Sequence, residues 1–201
     1  HFVTDAKEAA IENPHIMITD YVVSSANDIV PVLEQLVASQ KRDFVLIAED
    51  VGGEALSTLV LNKLRGMHNV LAVKAPGYGA HREAMLQDMA VLTGATMISK
   101  RAGLQLGEIG VSELGRAEKA IANNQDTIIV GGAGDASLIA DRIEQVRASM
   151  NQSNDEEGLE KLRERLSLLC SEVAVIRVVA DTDARRKVVK QRLNDVQPEL
   201  D

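Results

Sequence analysis

Glu49-Asp50 and Gly131-Gly132-Ala133-Gly134 are the places where residue type and spacing could support catalysis or cofactor binding. The acids follow the apolar run Asp43–Ala48, which reads as a strand. Carboxylates at a strand C-terminus can hold Mg²⁺ beside a phosphoryl group, the arrangement of a receiver-like phosphoacceptor at Asp50. Acids ahead of a helix are also stabilised by its dipole alone. The glycines follow a strand-like Thr127–Val130 and precede a helical pattern, so Gly132–Ser137 could cradle a dinucleotide pyrophosphate. However, no strand ending in a ribose-binding acid follows, because Asp155 and Glu156 fall in a polar bend, and no Lys-Ser/Thr pair completes a phosphate loop. A glycine turn needing positive φ accounts for the cluster more simply. His1, His15, His68 and His81 lack metal-ligand spacing, and the single Cys170 completes no zinc site and no internal disulfide. Spacing alone proposes no Ser-His-Asp arrangement.

The third feature is apolar. In Glu49–Gly66, at about 100° per residue, Ala55 and Leu59 share one side while Leu56, Val60, Leu64 and Leu61 continue through more than half a turn. A surface helix needs only one apolar stripe toward the core. The surplus stripe implies a binding surface unless a neighbouring element covers it. A second amphipathic helix, carrying Val30 and Leu33, offers either that cover or the other wall of an open groove.

The elements that position these residues alternate between short aliphatic runs and helical patterns, an α/β signature. Strands are expected at His15–Thr19, Asp43–Ala48, Val70–Lys74, Thr96–Ser99, Thr127–Val130 and Val173–Val179. Helices are expected at Ser24–Ser39 (capped by Ser25-x-x-Asp28), Glu54–Arg65, Arg82–Leu92 and Ala184–Leu193. Pro76–Gly79 reads as a turn and Gly103–Gly115 as loop and edge structure. Ile139, Ile143, Val146 and Met150, then Leu159, Leu162, Leu166 and Leu169, mark a helical hairpin bent at Asn151–Glu157.

The 201 residues suffice for one core plus an appendage, and a net charge of −8 argues against nucleic acid as the main partner. Aromatics are only 2% of the chain, so the core should be aliphatic, and rows of base-stacking platforms are missing. No apolar run reaches the length of a membrane span, and Cys170 alone fits a reducing compartment. The chain starts at His1 with no signal-peptide pattern and is expected to be a piece of a longer protein. The basic face Arg185-Arg186-Lys187 with Lys190 and Arg192 suits a subunit or intramolecular partner better than DNA.

IAEDVGGEALSTLVLNKLRG, VKAPGYG and AMLQDMAVLTGATMIS, with PVLEQL, TIIVGG, EKLRERL and VAVIRV, resemble the apical domain of a type I (GroEL-family) chaperonin almost to Asp195. That resemblance implies a layered sheet-and-helix α/β apical domain (β/β/α type) at 1–172 with a helical hairpin, and a fragment of the intermediate domain at 173–201. It implies capture of unfolded polypeptides and of a co-chaperonin (GroES-type) mobile loop through Phe2, Val30, Leu33, Leu56, Val60 and Leu61, with Asn62 as a polar contributor. The parent would be a homo-oligomeric, ATP- and Mg²⁺-dependent protein-folding ring in the bacterial cytoplasm or an organellar matrix. In it, Asp195 matches the aspartate that activates water for ATP hydrolysis. This piece alone is expected to bind no cofactor, metal or membrane, to form no stable ring, and to hydrolyse no ATP. Three departures bear on its hinge: Ser171-Glu172 and Val179 stand where the family has glycines, and Gln197-Pro198-Glu199 interrupts an expected helix. His1 stands where the family usually has tyrosine.

Within that reading, Ala55, Thr58 and Leu59 should face inward and Leu56, Val60 and Leu61 outward.

Overall fold

Aliphatic runs too continuous for a one-sided sheet form the centre of the fold. A computed structural model of the chain describes residues 8–123, 126–171 and 173–177. The strands β2 (His15–Ile18), β4 (Asp43–Ala48) and β6 (Asn69–Lys74) are parallel, in the order β6-β4-β2. Their residues Ile16–Ile18 and Phe44–Ala48 are buried, as strands covered on both faces require. Among the described residues Phe44 is the one fully buried aromatic in this aliphatic core, with Tyr21 half-buried against it.

The strand β7 (Gly115–Asn123) joins this parallel half to an antiparallel one. Its first residues pair with β2, His15 opposite Arg116 and Ile16 opposite Gly115. Farther along, β7 pairs with β1 (Glu8–Glu12) on one side and β8 (Asp126–Gly132) on the other, and β9 (Val173–Arg177) adds to β8. β1 and β2 are therefore one ribbon laid along β7 and bent at Asn13-Pro14. Asn13 has φ +48° and still donates its N–H to the Glu118 carbonyl at 2.7 Å, while Pro14 has no N–H to give. A short parallel pair, β3 (Val22–Val23) with β5 (Asp50–Val51), sits apart from this sheet.

Among the described residues, five helices cover the strands. α1 (Val30–Ala38) joins β2 to β4 by way of β3, and α2 (Gly53–Leu64) leads into β6. α3 (Gly79–Thr93) packs on β2 and β7, and the hairpin of α4 (Ala136–Gln152) and α5 (Glu156–Cys170) packs on α3. Asp135 and Asp155 cap the two hairpin helices through their first-turn N–H groups. No helix among the described residues is long and apolar enough to cross a membrane.

The chain is thus a mixed α/β protein, with five differences from the sequence reading. The helix expected over Ser24–Ser39 is split. Ser25 caps a 3-10 turn at Ala26–Asp28 with a reciprocal bond from its N–H to Asp28, and α1 restarts at Val30. Pro31 explains the break, because it cannot donate back into the preceding turn but is tolerated at the start of a new helix. Thr96–Ser99 forms only a single bridge, Ile98 to Thr19. α3 begins three residues before the expected Arg82, at Gly79. Part of the expected Gly103–Gly115 loop is 3-10 turn, at Leu106–Glu108 and Val111–Glu113. The fifth difference is the pair β1 and β7, which the sequence reading did not anticipate. β9 continues the sheet across the boundary expected after residue 172. Phe2, Glu172, Val179, Asp195, the basic helix Ala184–Leu193 and the Gln197–Glu199 stretch lie outside the described residues.

Candidate functional site

The crossovers β2–α1–β4 and β4–α2–β6 run in one direction across the parallel strands, and the right-handed rule for such crossovers puts α1 and α2 on the same side of the sheet. The segment after α2 closes against α1: buried His68 meets the backbone of Leu33 and of Arg42. Between the helix ends lies an open cavity of about 590 Å³ lined by Val37, Gln40, Arg42 and Met67.

The faces of α2 divide only in part as the periodicity predicts. Ala55 and Leu59 are fully buried, whereas Leu61 is exposed and Leu64 is 80% exposed. Leu56 and Val60, expected to face outward, are half-buried along the margin and pack against the core. Thr58 is also half-buried, and its carbonyl accepts a bond of 2.8 Å from Asn62 Nδ2. The Asn62 side chain is therefore turned onto its own helix. Lys63 donates to the Val70 carbonyl at 3.1 Å, and burial holds its ammonium below the ordinary lysine range.

α1 corrects one site residue. Leu33, expected at the groove surface, is only 4% exposed and belongs to the core. Ile29, Leu33 and Leu36 follow i, i+4, i+7 spacing and form the inward stripe, all buried. The outer wall is instead half-buried Val30 with exposed Val37, seven residues on and so at almost the same helical angle. Val37 and exposed Met67 were missed. The i, i+7 spacing from Val30 could have revealed Val37, while Met67 lies past the helix where no periodicity points to it.

The rival sites do not assemble. Gly134 donates its N–H to the Leu92 carbonyl at 2.9 Å, and a Cβ at Gly132 or Gly134 would collide with Leu92 or Val91 carbonyls of α3. The Asp135 carboxylate occupies the N-terminus of α4, where a pyrophosphate would have to sit. β8 is moreover antiparallel to both its neighbours, unlike the strands of a dinucleotide unit. These glycines serve close packing against the end of α3. Glu49 is bound by Arg82 at 2.6 Å, and exposed Asp50 lies 3.6 Å from Lys74. Among the described residues no group of three or more His, Cys, Asp or Glu could hold a metal ion.

His81 lies 3.3 Å from Glu164 across the α3–α5 contact. His15 and His68 are both buried, each with an Nδ1 that makes no hydrogen bond of good geometry. Burial first, then Lys41 and Arg116, lowers His15 below the usual histidine range, with Asp43 opposing. Burial is also the main cause that lowers His68.

No protein-family model matches the chain.

Proposed function

We propose that this chain is the polypeptide-capturing apical unit of a type I chaperonin, binding non-native chains and a co-chaperonin loop in the groove between α1 and α2. The observation that carries the reading is a set of exposed apolar side chains on the two helices and the turn after them: Leu61 and Leu64 on α2, with Val37 and Met67 lining a cavity of about 590 Å³. The family resemblance of the sequence supports the same assignment.

The chemistry suits a receptor for unfolded chains. Non-native polypeptides share exposed apolar side chains and little else, so their receptor should be apolar and tolerant of shape. Burying a Leu-sized side chain yields about 1.5–3 kcal/mol, and association entropy removes much of the sum. A single unit therefore binds weakly, and a ring of such units binds tightly through multivalency. A lid loop competing for the same rim would displace the captured chain. ATP and Mg²⁺ belong to the parent ring, and Asp195 would act only there.

The test is suppression of aggregation of a chemically unfolded client by the chain tethered at high density. Leu61→Ser with Leu64→Ser should abolish it, while Leu138→Ser, at an exposed apolar position on α4, should not. Equal protection by all three proteins refutes the groove.

A further inference from the structure

Beside the cavity at Val37 and Met67 lies a second one of about 300 Å³, lined by Asn13, His15, Gln40, Lys41, Arg42 and Asp43. The two share Gln40 and Arg42, so the Val37 and Met67 side of the first cavity opens directly beside the charged lining of the second. The charge is uneven. Lys41 and Arg42 line the second cavity, and Arg116 reaches His15 Nε2 at 3.3 Å. None of these three cations lies within ion-pairing distance of a carboxylate among the described residues. In a chain of net charge −8 most other described cations are matched: Arg82 by Glu49, Arg101 by Glu83, Lys119 by Glu12 and Arg165 by Asp88. Asp43, the only acid of the cavity lining, is engaged by Asn69 at 3.1 Å. Lys41 and Arg116 crowd buried His15 closely enough to oppose a further positive charge on it.

The bend and the helix end that meet here are also unusual. The only non-glycine residues with positive φ among the described ones are Asn13 (+48°) and Gln40 (+58°), and both line this cavity. Strained backbone at a cleft is a recurrent property of ligand sites. The carbonyls ending α1 attract Lys41 and Arg42, but Arg116 belongs to β7 and gains nothing from that dipole.

We infer that the open end of the groove selects peptide segments in which a carboxylate follows an apolar side chain. The apolar group enters between Val37 and Met67, and the carboxylate, from Asp, Glu or a chain terminus, faces Arg42, Lys41 and Arg116. The inference rests on the groove reading above and adds a charge preference to it. A purely apolar groove captures segments without regard to flanking charge, whereas this one favours acidic flanks and disfavours basic ones.

The experiment uses fluorescent peptides of one apolar sequence, ending in Glu-Glu or in Gln-Gln with an amidated terminus, titrated by anisotropy against the whole chain. The Glu peptide should bind about fivefold to tenfold more tightly at low salt, and the difference should shrink as salt rises. In Lys41→Gln/Arg42→Gln/Arg116→Gln the two peptides should bind alike, at the affinity of the Gln peptide for the original chain. Equal binding of both peptides to the original chain overturns the charge preference and leaves the groove standing. Binding of neither peptide overturns both readings. Inorganic phosphate that displaces the carboxylate advantage without displacing the Gln peptide supports the two-compartment site. Phosphate that displaces both peptides equally overturns it.

Discussion

Asp88, fully buried on α3, holds Arg165 of α5 through two hydrogen bonds: Nε to Oδ2 at 2.6 Å and Nη2 to Oδ1 at 3.0 Å. Arg142 of α4 donates to the same carboxylate at 2.6 Å and to Gln87 at 3.1 Å. One acid thereby fastens both hairpin helices to the rest of the fold. Removing a partner from a buried ion pair costs about 3–5 kcal/mol. Asp88→Ala, which leaves two arginines without a counter-charge, should lower urea stability by that amount and speed amide exchange in α4 and α5 first. A loss below about 1 kcal/mol would mean the pair is solvated and holds nothing.

Core and rim positions on the two groove helices should separate by experiment. Leu33→Ala truncates a core side chain and should cost about 2–5 kcal/mol of stability. Val37→Ser and Leu64→Ser remove exposed groups, so stability should change by no more than about 0.5 kcal/mol while client capture falls. Thermal melts run beside the aggregation assay distinguish the two. A large destabilisation from Leu64→Ser would show that something covers it.

Stability should depend on pH through His15 and His68. Both have a folded pKa below the ordinary 6.5, so the folded state takes up protons less readily than the unfolded chain. Where the unfolded state binds more protons, stability rises with pH. The histidine contribution is therefore complete above pH 6.5 and lost as pH falls from there through the folded pKa values. Urea midpoints at a series of pH values should be flat above neutrality and drop on the acid side. His15→Gln/His68→Gln should flatten that drop; an unchanged slope would assign it to carboxylates.

Gly134→Ala tests the glycine cluster. A methyl there would meet the Val91 and Leu92 carbonyls, so overpacking should cost about 1–3 kcal/mol or more. A dinucleotide added to the unmutated chain should leave the melting temperature unchanged. A ligand-dependent rise would restore the nucleotide reading.

The legibility of these features followed how local their causes are. β4 is a continuous buried apolar run, and the Leu159–Leu169 spacing of α5 repeats at helical period, so both are plain from neighbouring residues. Strand β7 reads RAEKAIAN after its glycine, with alanines and charges that favour helix. Its extended form is imposed by β1 and β8 on either side, and small Ala117, Ala120 and Ala122 are the ones buried. Nothing near Asp88 in sequence announces Arg142 and Arg165, which lie 54 and 77 residues away. In the groove, the surplus stripe of α2 was legible, but on α1 Leu33 falls in the inward stripe with Ile29 and Leu36, which leaves Val37 rather than Leu33 on the outer wall.

The bent ribbon of β1 and β2 also has a consequence in time. Its partner β7 lies about a hundred residues downstream, as the His15–Arg116 pairing measures. During synthesis from the N-terminus, β2 can collapse early with β4 and β6 through short crossovers, but β1 has no strand to pair with until β7 emerges. For that interval Ala9–Ile11 is an unsatisfied edge, which is the hazard that makes sheets aggregate. The proposed receptor for unfinished proteins would thus pass through the same exposed state itself.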